Sequence, residues 1–224
     1  MDLNPIELWH QASPAVKVVI VTMLLMGFGC IYVTIERIIA LGKARSQSRA
    51  LAEAVGKALQ TDISAALKIA KGEEYKDAYL GHLLVAGLTE FDARPDRHGI
   101  EAAERALTRV TIDEEADLRK GFGILATTGA TAPFVGLVGT IFGIIGAFQA
   151  MADGGGDLDK LLLPIAEALV ATAIGITVAI FGVWLFNYFN ARVEAISKDM
   201  GNSALEFLDW AEKRILPPLE TASK

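Results

Sequence analysis

Cysteine is almost missing from this chain: Cys30 is the only one among 224 residues. That removes intrachain disulfides and any cysteine-based zinc site. Histidine is nearly as scarce, and His10, His82 and His98 lie too far apart to form a metal-ligand spacing. Positive charge is in deficit, with 21 Lys+Arg against 27 Asp+Glu and a net charge of −6. Such a balance argues against nucleic acid as a partner, since that affinity comes mostly from Lys and Arg set against phosphate. What the chain has in excess is apolar: 52 % of its residues are hydrophobic and its mean hydropathy is +0.39. A soluble domain of this length usually reads slightly hydrophilic. Composition therefore points to a membrane protein with no metal, redox centre or other cofactor.

The apolar residues fall in three stretches. Residues 18–35 carry no charge and are closed by Glu36 and Arg37. Residues 121–152 are charge-free, and in 161–191 the only charge is Glu167. A hydrocarbon core about 30 Å thick needs roughly 20 apolar residues of helix, so all three qualify as spans. Backbone groups in a bilayer must pair internally, which makes these spans helices. The first has acids (Asp2, Glu7) where a secretory signal has a basic start, so it reads as a retained helix.

Orientation follows from the basic residues near the helix ends. No Lys or Arg precedes Lys17, and only Lys160 lies between the second and third spans. Arg37, Lys43, Arg45 and Arg49 follow the first span, Arg109, Arg119 and Lys120 precede the second, and Arg192 and Lys198 follow the third. The expected organisation is a periplasmic N-terminus (1–15), a first transmembrane helix (16–36), and a cytoplasmic helical domain (37–120). A second transmembrane helix (121–152), a periplasmic loop (153–160), a third transmembrane helix (161–190) and a cytoplasmic tail (191–224) complete it.

Within 43–120, thirteen basic and fourteen acidic side chains make a near-neutral, soluble segment. SRALAEAVGKALQ and DISAALKIAKG read as amphipathic helices, the second ended by Gly72. A further helical run from Tyr75 to Phe91 stops near Arg94-Pro95, because the residue before proline disfavours the helical region. Ile100, Ala103, Leu107 and Val110 resume the period, and with no breaker before the second span they predict one continuous helix into the membrane. The third span leads likewise through 189–216 to Pro217-Pro218, which cannot continue a helix. Apolar stripes on helices this long need partners. A bundle within one chain is the blander solution, and a ring of identical chains is the one favoured here.

The second span holds Gly136, Gly139, Gly143 and Gly146 among seven glycines. Small residues mark close helix contacts in lipid, where little hydrophobic drive operates between helices. Pro133 should kink this helix. Thr127, Thr128, Thr131 and Thr140 are left over, and a threonine can satisfy its hydroxyl on the preceding turn. Glu167 is harder to dismiss, because an ionisable group inside a span costs about 2.5–3.5 kcal/mol on insertion scales. It lies roughly 9 Å along the helix from the outer end, so it either snorkels to the headgroups or lines a pore. Ala168, Thr172, Gly175 and Ala179 follow at helical spacing as a narrow face. Glu167 and Thr172 differ by about 140° around a straight helix, so spacing alone leaves open whether they share a lumen. No intramembrane His, second acid or activated Ser accompanies Glu167, which argues against an enzyme.

At these residues the sequence resembles the ExbB/TolQ/MotA proton-channel family, and within it ExbB and TolQ. The A-P-x-x-G-L-x-G-T run at 132–140 and the E-A-L-x-A-T-A-x-G run at 167–175 carry the resemblance, together with the three-span topology. Where many ExbB-like proteins have a proline midway down the third span, this chain has Ile180-Phe181. The resemblance implies an all-α membrane protein with three transmembrane helices and long cytoplasmic helical extensions, assembled as a homopentameric ring in the bacterial inner membrane. It implies an ExbD/TolR-like dimer of single-span chains in the central pore, a TonB- or TolA-like protein beyond it, and membrane lipids around it. It places Thr140, Glu167 and Thr172 on polar pore-lining positions and Pro133 and Gly139 on packing positions. The function so implied is a proton-channel stator that turns proton motive force into work in the envelope; the alternative is a non-conducting membrane scaffold.

Overall fold

The computed structural model describes Trp9 and residues 12–59, 62–152 and 158–215. Most of the 1–15 segment and of the 153–160 loop, and the Pro217-Pro218 stop, lie outside the described residues. All regular structure among the described residues is helical.

Helix α1 runs Pro14–Ala58 without a break. Its start is written locally: Pro14 occupies the first helical position, where its missing N–H costs nothing, and the Ser13 hydroxyl accepts from the Val16 N–H at 3.3 Å. Helix α2 (Ile63–Ala70) is capped by Asp62, whose carboxylate accepts from the Ser64 N–H at 2.9 Å. A single 3-10 turn, Glu73–Tyr75, leads to α3 (Tyr79–Ala93). The expected helical start at Tyr75 is therefore a correction. Ala78 is extended (φ −80°, ψ 110°) and its N–H closes a tight turn on the Tyr75 carbonyl at 2.9 Å, while the Asp77 N–H donates to the Gln47 side chain. Helix α4 (Arg97–Leu118) begins at Asp96, whose carboxylate accepts from the Gly99 N–H at 3.0 Å.

Helix α5 (Phe122–Ala152) does not continue α4, contrary to the sequence expectation. Gly121 stands between them with φ +81°, a left-handed conformation that only glycine adopts without strain. The last carbonyls of α4 are consumed there: Glu115 accepts from the Arg119 N–H and Asp117 from the Lys120 N–H. The guanidinium of Arg37 on α1 donates to the Asp117 and Leu118 carbonyls at 3.1 and 3.3 Å. Helix α6 spans Leu158–Ile215, 58 residues with Pro164 inside it.

The chain divides into two compact units. One comprises Met1–Glu36 and Gly121–Phe189, and contains the three stretches long and apolar enough to cross a membrane. Its described core centres on Val19, Met23 and Ala171, with Ile20, Val135 and Ile174 packed around them. Only 22 % of the most apolar part of each long helix is buried within the chain. Phe28 and Tyr32 on α1, Phe134 and Phe148 on α5, and Leu169 and Trp184 on α6 are all exposed. Such surface is stable against lipid or further protein, not water.

The other unit comprises Arg37–Lys120 and Asn190–Lys224. Helix α3 packs on both α2 and α4. Leu51 and Val55 of α1, Leu83, Leu88 and Phe91 of α3, Ala103 and Leu107 of α4, and Met200, Phe207 and Ala211 of α6 are buried. Trp210 meets Phe91 edge-on with ring centres 5.7 Å apart. Together these side chains form a hydrophobic core.

Candidate proton-pathway site

Glu167 is 6 % exposed, so its own chain shields it from the surroundings. It lies at the start of α1, where the Ser13 backbone N–H donates to its carboxyl group. In a capping box, an acid three residues into a helix reaches back to the N–H of the capping residue. In α1 that position is Val16, which has no acceptor, and Glu167 supplies one from α6. A negative group also suits a helix N-terminus, where unpaired N–H groups leave partial positive charge. Lys17 adds opposite charge nearby, and its ammonium sits 5.9 Å from the centre of the Trp9 ring. One N–H does not exhaust a carboxyl group: acceptor capacity remains for a proton or a further donor.

Thr172 is half-buried on a different side of α6, and its hydroxyl donates to the Gly136 carbonyl of α5 at 3.0 Å. Helix geometry aims the Thr140 N–H at that same carbonyl, four residues back. The Thr140 hydroxyl donates to the Leu137 carbonyl at 2.7 Å, and Thr131 donates likewise to Thr127. Thr140 and Thr172 thus flank one peptide group of α5. Glu167 is bonded elsewhere, to α1. The structure brings two of the three expected pathway residues together and places the third beside a different helix.

The glycines explain how Thr172 reaches across. A Cβ on Gly136 would lie 3.1 Å from the Thr172 Cα, and one on Gly143 would lie 2.5 Å from the Ala168 Cβ and 2.7 Å from the Pro164 carbonyl oxygen. A Cβ on Gly139 would meet the Ala171 Cβ at 2.9 Å, and one on Gly175 would meet the Ala132 carbonyl oxygen at 2.7 Å. These contacts hold α5 and α6 at a backbone separation that any side chain would widen. Gly146 is different: among the described residues nothing comes nearer to its Cβ position than 3.8 Å, so there it does not extend this close seam. Pro133 is half-buried within α5 and helps line a shallow groove with Ile176, Ala179, Ile180, Val183 and Trp184.

Sequence reasoning missed Ser13 and Lys17 as neighbours of Glu167, and Pro164 as the floor beneath Gly143. The Ser13-Pro14 pair carried a readable signal, a capping residue followed by proline ahead of an apolar run. Nothing in the spacing linked it to a residue more than 150 positions later.

Comparison with known proteins adds an independent line. The model of the MotA/TolQ/ExbB proton channel family matches residues 76–202, which takes in α3, α4, α5 and most of α6. Biopolymer transport protein ExbB of Xanthomonas campestris is 47 % identical over 91 residues, 40 % of this chain and 36 % of that protein. ExbB of Pseudomonas putida is 30 % identical over 92 % of this chain, and the alignment spans 63 % of the relative's length. Tol-Pal system protein TolQ of Haemophilus influenzae is 31 % identical over 92 % of both chains. With three helices fit to span a bilayer and the glycine-lined α5–α6 seam inside the matched region, this membrane protein belongs to the MotA/TolQ/ExbB proton channel family.

Proposed function

We propose that this chain is the ring-forming subunit of an inner-membrane proton channel that couples proton motive force to mechanical work in the envelope, in a TonB-dependent or Tol-Pal type system. Five copies surround a dimer of an ExbD/TolR-like single-span partner, and a TonB- or TolA-like protein carries the work onward. Residues 1–15 and 153–160 face the periplasm. Residues 37–120 and 191–224 face the cytoplasm as helical extensions. Thr140, Glu167 and Thr172 border the proton pathway, and Pro133, Gly136, Gly139, Gly143 and Gly175 set the helix spacing around it.

The observation that carries this reading is the carboxyl of Glu167, buried by its own chain on a helix apolar enough to span a membrane. An acid in a span ordinarily faces protein or a water-filled cavity and marks a proton or ion route. A proton crossing the full potential releases about 2.3 kcal/mol per 100 mV, the work available to the ring. One observation favours a second reading. Glu167, Thr140 and Thr172 each have a partner inside the chain, as a non-conducting scaffold would also require.

Glu167→Gln separates the two readings, because glutamine still accepts from the Ser13 N–H but cannot carry a proton. Native mass spectrometry of the variant should show the same closed pentamer as the wild type. Proton-driven work in cells should fall to background. Full activity in an assembled Glu167→Gln complex would establish the scaffold, and a stable monomer in the wild type would remove the ring.

A further inference from the structure

The C-terminal end of α4 is held from three sides, all within the unit of Arg37–Lys120 and Asn190–Lys224. Arg37 of α1 donates to its last carbonyls. Glu115 accepts from Arg119 and from the Ser197 hydroxyl of α6, and Arg119 also reaches Asn190. The adjacent Glu114 serves a different helix and meets Nδ1 of His82, on α3, at 2.5 Å.

These holds differ in how they titrate. Both guanidinium groups act as hydrogen-bond donors only. Hydrogen bonds from Arg119 and then Ser197 hold the Glu115 carboxyl below the usual carboxylate range, so it stays ionised. His82 alone changes charge near neutrality. Its ring faces two acceptors, the Glu114 carboxylate and the Lys76 backbone, and only the imidazolium can donate from both nitrogens. The hydrogen bond to Glu114 raises its pKa, burial opposes this, and the Glu114 and Asp77 charges reinforce it. Asp77 is itself paired with Lys43 of α1 at 2.6 Å, while Lys71, Glu73, Tyr75 and Lys76 line a cleft beside the ring. The His82 side chain is 46 % exposed, so water reaches it directly.

We propose that His82 and Glu114 form a pH-operated clasp between α3 and the end of α4, closed when His82 is protonated and loosened as the pH on that side of the membrane rises. A raised folded-state pKa means the stabilisation is complete below about 6.5 and is lost as pH climbs through the folded value. Opening is local, because Leu83, Leu88 and Phe91 keep α3 packed by its apolar face. The functional consequence rests on the proton-channel reading above. The clasp grips the helix that leads through Gly121 into α5, so an alkaline compartment weakens the transmission of work.

The test is hydrogen exchange of the full chain in its membrane assembly between about pH 6 and 8.5, corrected for intrinsic exchange. Protection of the turns around His82 at the start of α3 should fall relative to the buried part of α6, by up to about tenfold for each unit by which the His82 pKa exceeds 6.5. His82→Gln and Glu114→Gln should both abolish that pH dependence. An unchanged dependence in His82→Gln overturns the clasp, as does a wild-type His82 ring resonance that titrates at or below 6.5 by NMR. None of these readouts requires proton flux. A failed proton-channel reading would appear in Glu167→Gln and leave the exchange result standing.

Discussion

Gly143→Ala tests the α5–α6 seam most severely. The added methyl carbon would lie 2.5 Å from the Ala168 Cβ and 2.7 Å from the Pro164 carbonyl oxygen, where ordinary contact begins at 3.4 Å. Neither neighbour can rotate away, since one is fixed to its backbone and the other belongs to it. The two helices must part by nearly 1 Å, at an overpacking cost of about 1–3 kcal/mol. Alanine also gains about 1 kcal/mol of helix propensity over glycine, which hides part of that cost. Gly146→Ala measures the hidden part, because among the described residues its new methyl meets nothing nearer than the Pro164 Cβ at 3.8 Å. The difference between the two variants should therefore be about 1–3 kcal/mol, or roughly 2–12 °C in Tm for a chain of this size. Tryptophan fluorescence during thermal unfolding in detergent reads it. Adding Ala168→Gly to Gly143→Ala should recover only part of the loss, since the Pro164 carbonyl stays in place. Equal Tm values for Gly143→Ala and Gly146→Ala would refute the close approach.

Two further perturbations probe the other unit. Arg37→Met keeps the apolar stem but leaves the Asp117 and Leu118 carbonyls without their charged donor, which should cost about 1.5–3 kcal/mol in a denaturation series. Glu115, whose carboxyl is held low by Arg119 and Ser197, stabilises the fold above the usual carboxylate range and loses that contribution as pH falls through its depressed folded value. Glu115→Gln should therefore lower Tm near neutrality, with the deficit shrinking as pH falls below about 4, read by a Tm series in acid.

Much of the helical layout was legible because two physical signals act locally. Charge-free runs mark the spans without reference to anything distant, and Gly72 and the Arg94-Pro95 pair mark helix stops by their own backbone chemistry. The failures share a cause as well. Apolar periodicity runs through Lys120 into the second span, and period alone does not show that Gly121 takes a positive φ or that Arg37 takes up the freed carbonyls. The decisive partner lies 80 residues away in sequence. At Tyr75 the period is again silent about the backbone: Ala78 is extended and its N–H takes the Tyr75 carbonyl in a tight turn, so α3 starts only at Tyr79.

The site was half legible for reasons of the same kind. Threonine hydroxyls that bond their own preceding turn, as at Thr140 and Thr131, follow from helix geometry and a single sequence suffices. Thr172 follows a different rule, donating across to Gly136, and it can do so only because glycine lets the two backbones meet. Glu167 is the extreme case. Its sequence neighbours suggest a pore or a snorkel, yet its bond partner is the N–H of Ser13, which no periodicity within α6 encodes. On the proton-channel reading proposed above, the carboxyl serves two ends, capping a helix and offering a titratable group inside a span. An alanine at 167 removes both at once, so a dead variant would say nothing about protons. Glutamine removes only the second.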